Sequence, residues 1–84
     1  MKPVTVYTTE YCPYCQNAKR LLSQKGVPFT EINLSDKPDE LAQLKKRAGM
    51  RTVPQIFIGE ELVGGFMELM ALETSKQLDK KLTD

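Results

Sequence analysis

Val4-Thr5-Val6-Tyr7-Thr8-Thr9-Glu10-Tyr11-Cys12-Pro13-Tyr14-Cys15 is the stretch around which the rest of the chain is organised. Its first half alternates β-branched residues with Tyr7 and reads as a strand, Val4 to Thr8. Thr9, Glu10 and Tyr11 form a loop. The second half carries both cysteines of the 84-residue chain. Pro13 fits the first position of a helix, where a missing N–H costs nothing. A Cys-x-x-Cys between a strand and a helix reads as a thiol–disulfide redox site. Cys12 then stands at a helix N-terminus, where unpaired N–H groups and the positive end of the dipole favour an anion. Cys15 lies one helical turn further on, within bonding reach of Cys12.

Downstream, Ala18, Leu21, Leu22 and Lys25 repeat at helical spacing, with Lys25 able to bury its stem and expose its charge. Gly26 ends this helix as a left-handed residue. Cys15, Ala18 and Leu22 share one stripe, so Cys15 is expected buried and Cys12 exposed. Phe29 to Leu34 alternates as a second strand. Strand, helix and strand make a right-handed βαβ unit with parallel strands. Ser35 or Asp36 is placed to cap the next helix, with Pro38, Asp39 and Glu40 in its first turn, Leu41, Leu44 and Ala48 facing inward, and Gly49 at its end. Gln55 to Ile58 is a third strand, and Gly59-Glu60 fits a two-residue hairpin turn leading to a fourth, Glu61 to Gly64. Gly64-Gly65 breaks the chain before a third helix, Met67 to Thr74, and Leu78 and Leu82 mark a last short one.

The length fits one domain, residues 1–84, able to bury roughly two-thirds of its unfolded surface. Twelve basic and 11 acidic residues leave a net charge of +1, which argues against nucleic acid as the main partner. No apolar run approaches the ~18 residues that span a bilayer. Met1-Lys2-Pro3 leads straight into a strand without a signal-peptide pattern, so a cytoplasmic location is expected. Persistent structural disulfides are uncommon there.

This order of elements, with Cys12-Pro13-Tyr14-Cys15 after strand one, resembles the glutaredoxins, a branch of the thioredoxin fold. Arg51-Thr52-Val53-Pro54 and Gly64-Gly65 match the family at family-like spacing. The resemblance implies an α/β fold: a four-stranded mixed sheet in order 2-1-3-4, flanked by three to four helices, with a cis peptide bond before Pro54. It also implies a monomeric enzyme with no tightly bound cofactor or metal and with glutathione as co-substrate, acting on disulfide-containing or glutathionylated proteins. Two departures stand out. Thr9 occupies a position where such proteins often carry Lys. Met67 replaces the first of an acidic pair that normally faces the amino group of glutathione. Two other classes therefore stay open: a redoxin reduced directly by thioredoxin reductase, and a non-catalytic dimeric carrier of an iron–sulfur cluster.

Cys12 is the expected nucleophile and Cys15 the resolving thiol. A free thiol is only about 3% ionised at pH 7. Lowering its pKa by about four pH units raises the thiolate population roughly thirtyfold, but cuts nucleophilicity roughly forty- to a hundredfold. The benefit therefore lies in departure from a mixed disulfide rather than in attack. A structural disulfide is the competing reading, but closing so short a loop constrains the unfolded chain little. Without histidine, two cysteines do not complete a zinc site within one chain. For Thr52-Val53-Pro54 the functional reading is that Val53 pairs its backbone with the cysteine of glutathione like an added strand, and the plain one is a loop opening strand three. For Gly65 the plain reading is the end of the hairpin; the functional one is that N–H groups of Phe66 and Met67 hold a carboxylate. Tyr14 either flanks the ligand or covers the helix start. Arg51 either meets a glutathione carboxylate or is a solvated loop residue. Lys19-Arg20 and Lys45-Lys46-Arg47 read as solvated helix faces, and Met67 and Met70 as core.

Overall fold

The computed structural model describes residues 1–50 and 52–83. The chain runs β1 (Val4–Thr8), α1 (Pro13–Gln24), β2 (Thr30–Asn33), α2 (Pro38–Ala48), β3 (Gln55–Ile58), β4 (Glu61–Gly64), α3 (Phe66–Thr74) and α4 (Leu78–Thr83). The four strands form one sheet in the order β2-β1-β3-β4. β1 pairs parallel with β2, as a βαβ crossover requires, and antiparallel with β3, which pairs antiparallel with β4. This is the mixed sheet implied by the resemblance, and the Val53–Pro54 bond is cis.

Alternation along the strands sorts the two faces. Val4, Val6, Ile56 and Ile58 turn to one side and pack with Ala18 and Leu22 of α1, Leu69 of α3, and Leu78 and Leu82 of α4. Leu22, Ile56, Leu69 and Leu78 are fully buried, each contributing about 1.5–3 kcal/mol against exposure. On the opposite side Tyr7 and Phe57 meet edge to face, ring centroids 5.7 Å apart. Leu44 of α2 is buried apart from the main core cluster, and Arg47 of the same helix shares a cavity with Thr5, Tyr7 and Phe57.

Helix ends follow the sequence in part. Gly26 and Gly49 take left-handed φ values of 71° and 72°. Neither Ser35 nor Asp36 caps α2, however; Lys37 holds that position without a side-chain hydrogen bond. The hydroxyl of Ser35 is engaged elsewhere, accepting the Glu10 N–H at 2.6 Å, while Asn33 Oδ1 accepts the Ser35 N–H at 2.9 Å. This ties the loop before Cys12 to the end of β2.

Two expected solvent-facing lysines are instead paired. Lys25 Nζ lies 2.8 Å from Glu73 and 3.0 Å from Asp79, bridging α1 to α3 and α4. Lys19 Nζ meets Glu31 of β2 at 3.0 Å, and the buried Thr8 hydroxyl donates to the same carboxylate oxygen at 2.8 Å. Met67 and Met70 are not core: they are 66% and 38% exposed, while Leu69 takes the buried position of α3.

Candidate active site

Cys12 sits where its sequence position requires. It is the N-cap of α1, with Pro13 in the first turn, and its Sγ accepts the Cys15 N–H at 3.1 Å. That bond satisfies one of the orphan donors of the helix start and places a hydrogen-bond donor on the sulfur. Tyr11, just before it, turns the chain with φ 57° and is almost wholly exposed. Cys12 and Cys15 are joined as a disulfide with Cα atoms 5.2 Å apart. Cys15 is buried on the stripe shared with Ala18 and Leu22, and Cys12 is partly rather than fully exposed.

The second wall comes from the segment before β3. The Val53 carbonyl oxygen lies 3.7 Å from Cys12 Sγ, across 41 residues of chain. Thr52, Val53 and Pro54 line one side of a cleft of about 380 Å³, with Gly65, Phe66 and Met67 on the other side and Tyr14 beside them. Seven of the residues singled out from the sequence thus converge on one cleft, of a size that takes a small ligand. The eighth groove candidate, Arg51, lies outside the described residues. Tyr14 and Phe66 place their rings 6.4 Å apart, tilted by 30°.

Two lining residues were not among the sequence candidates, Met50 and Glu68. Glu68 Oε1 accepts the Gly65 N–H at 2.7 Å, so the third residue of α3 reaches back over its own helix start. The signal for it was an acid three residues after the chain break. The same side chain explains Gly64. A Cβ there would meet Glu68 Cγ and Oε1 at 2.8 Å, and φ is 127°, a value L side chains rarely adopt. An extra residue on β4, where Ile56 faces Gly64 but Phe57 faces Leu62, delivers the chain to this turn.

A redox-active dithiol at the N-terminus of the first helix of a thioredoxin-fold sheet, beside a cleft closed by a Pro-containing loop, defines a thiol–disulfide oxidoreductase of the small, sheet-and-helix type. Comparison with known proteins narrows the class. The glutaredoxin family profile matches residues 4–63. The chain is 53% identical over 83 residues to a glutaredoxin of Pseudomonas aeruginosa, covering 99% of each protein. It is 45% identical over 82 residues to glutaredoxin 3 of Escherichia coli, covering 98% of this chain and 99% of that one. A crystal structure of a buckwheat glutaredoxin–glutathione complex superposes with a TM-score of 0.87 at 34% identity, covering 98% of this chain and 77% of that one. The chain belongs to the glutaredoxin family, and its activity is that of a thiol–disulfide oxidoreductase.

Proposed function

We propose that the protein reduces protein disulfides and protein–glutathione mixed disulfides, with Cys12 as nucleophile, Cys15 as resolving thiol and glutathione as the electron donor. The observation that carries this is Cys12 Sγ at the helix N-cap, accepting the Cys15 N–H at 3.1 Å, bonded to that buried neighbour and 3.7 Å from the carbonyl of Val53 in the cleft wall. In the reduced state the same N–H and the helix dipole stabilise a thiolate on Cys12. That thiolate attacks one sulfur of a substrate disulfide and expels the other as thiolate. Cys15, deprotonated, then attacks Cys12 Sγ, releasing the substrate's second thiolate and closing the Cys12–Cys15 disulfide. Two glutathione molecules return the dithiol, leaving as glutathione disulfide with the two electrons balanced. With a glutathionylated substrate, Cys12 takes the glutathione sulfur and releases the protein thiol; a second glutathione completes the cycle without Cys15.

Glutathione is read into the cleft as follows. Its cysteine backbone pairs with Val53, extending the edge of the loop. Its glutamyl carboxylate meets the N–H groups of Phe66 and Met67 at the start of α3. Tyr14, Thr52, Pro54 and Gly65 complete the groove, and Arg51 is assigned to a glutathione carboxylate. The buckwheat relative was crystallised as a glutathione complex, which supports glutathione as the ligand of the cleft.

Purified Cys12→Ser and Cys15→Ser variants test the assignment. Cys12→Ser is expected to lose activity on every disulfide substrate, and more than a few per cent of residual rate refutes it. Cys15→Ser is expected to keep deglutathionylation and lose most reduction of protein disulfides. Equal losses on both substrates assign Cys15 a structural role instead.

A further inference from the structure

Gln55 is a fully buried carboxamide at the first position of β3, opposite Tyr7 of β1. A polar group at such a position is unfavourable unless hydrogen bonds compensate it. Its Nε2 donates to the Met50 carbonyl and to the Thr52 carbonyl, each at 3.3 Å. Both partners are acceptors, so the amide orientation is fixed: the nitrogen must face the loop. The price is paid on the other side, where Oε1 has no partner among the described residues. A leucine would fill the space without that orphan oxygen, but would leave two inward carbonyls unpaired. What the carboxamide adds over an apolar residue is therefore its hold on residues 50 and 52.

That hold falls on the segment that builds one wall of the cleft. Met50, Thr52 and Val53 line it. Val53 follows directly on Thr52, and its carbonyl lies 3.7 Å from Cys12 Sγ. Gln55 is not a lining residue. With the Thr52 carbonyl held on Nε2, the backbone leading directly into Val53 is anchored to the first residue of β3.

We infer that Gln55 is a positioning residue, which sets the Val53 backbone for pairing with the substrate's cysteine through its two bonds to the loop. The inference rests on the glutathione reading of the cleft. Gln55→Met keeps length and apolar volume while deleting both donors. It is expected to raise the apparent KM for a glutathionylated peptide about tenfold, as loss of two neutral hydrogen bonds implies, with kcat changed less than twofold. Reaction of the reduced variant with a small aromatic disulfide, which needs no backbone pairing, is expected at the wild-type rate. The Val53 amide resonance of the ligand-free variant is expected to shift.

A measurement on unmutated protein covers the case in which the variant fails to fold. Both Gln55 side-chain amide protons are expected to exchange slower than those of exposed carboxamides, and exchange at the exposed rate overturns the inference. So does an unchanged KM, or a rise in KM accompanied by parallel falls in kcat and small-disulfide reactivity, which marks a structural role only. If the wild type shows no glutathione-dependent turnover, the functional reading falls by itself. The Val53 shift and the amide protection then decide the positioning role alone.

Discussion

Met67→Asp probes the part of the cleft wall that α3 supplies. Met67 is the second residue of α3, 66% exposed and part of the cleft lining. Its thioether is a weak acceptor without charge. Were the glutamyl amine of glutathione to lie beside it, an aspartate would add an ion pair. An exposed pair contributes about 0–1 kcal/mol, and a hydrogen bond to a charged group about 1.5–3. At two-thirds exposure the lower figure governs, giving about 1 kcal/mol, or roughly fivefold in affinity. Glu68 does not remove the expectation, because its Oε1 is already held by the Gly65 N–H at 2.7 Å. The assay is the apparent KM for a glutathionylated peptide at low and high salt. A fivefold drop that shrinks with salt is expected, with little change in kcat. Met67→Asn, of similar shape but neutral, is expected to change KM less than twofold. Glu68→Gln keeps an oxygen for the Gly65 N–H while removing the charge, and raises KM only if Glu68 also reaches the amine. If neither the aspartate nor the glutamine variant alters KM, the amine does not lie beside this wall. The glutathione pose is then wrong, and direct reduction by thioredoxin reductase becomes the better assignment.

Two further outcomes follow from the same geometry. Thiolate absorbance of the reduced protein is expected to show one group, Cys12, titrating well below the ~8.5 of a free cysteine, since the Cys15 N–H points at its sulfur; two titrations near ~8.5 contradict the mechanism. The Lys19 ammonium hydrogen-bonded to Glu31 holds that carboxyl below its ordinary value of 4.5, against partial burial that pushes it up and with help from the Thr8 hydroxyl. A depressed folded-state value means stability that is present above about 4.5 and lost as pH falls through the lower folded value. With a third of the side chain exposed, screening limits it to about 0.5 kcal/mol. Denaturant midpoints of wild type and Glu31→Gln are therefore expected to differ slightly at pH 7 and converge on acidification. A gap that stays constant down to pH ~3 refutes the linkage.

What could be read from the sequence was local. Val4 to Thr8, the cap at Cys12, the stripe through Cys15, Ala18 and Leu22, and the glycine-ended helices each depend on neighbours a few residues away. Period and propensity report on such neighbours. Cys12 meets Val53 across 41 residues, a distance over which spacing is silent; family resemblance supplied that link. Where residues 35 and 68 spend their polar groups was equally a tertiary matter. Ser35 is a good cap by type, but the Glu10 N–H claims its hydroxyl. α3 shows a different failure. Phe66, Met67, Leu69, Met70 and Leu72 make it apolar nearly all round, so a period of 3.6 cannot choose its inner face. The sheet chooses Leu69, leaving Met67 at the lip of the cleft.

Gln55 is the opposite case, a polar residue interrupting a buried strand whose other three positions are Ile56, Phe57 and Ile58. Taken by type alone it weakens the strand assignment. Taken with the Met50 and Thr52 carbonyls it has a cause, because a loop with no ladder of its own must find donors for its inward-facing oxygens. The local mismatch stands beside the site because the cleft wall is made of irregular backbone. The first residue of β3 is the nearest place from which a side chain can hold that backbone in register with the sulfur.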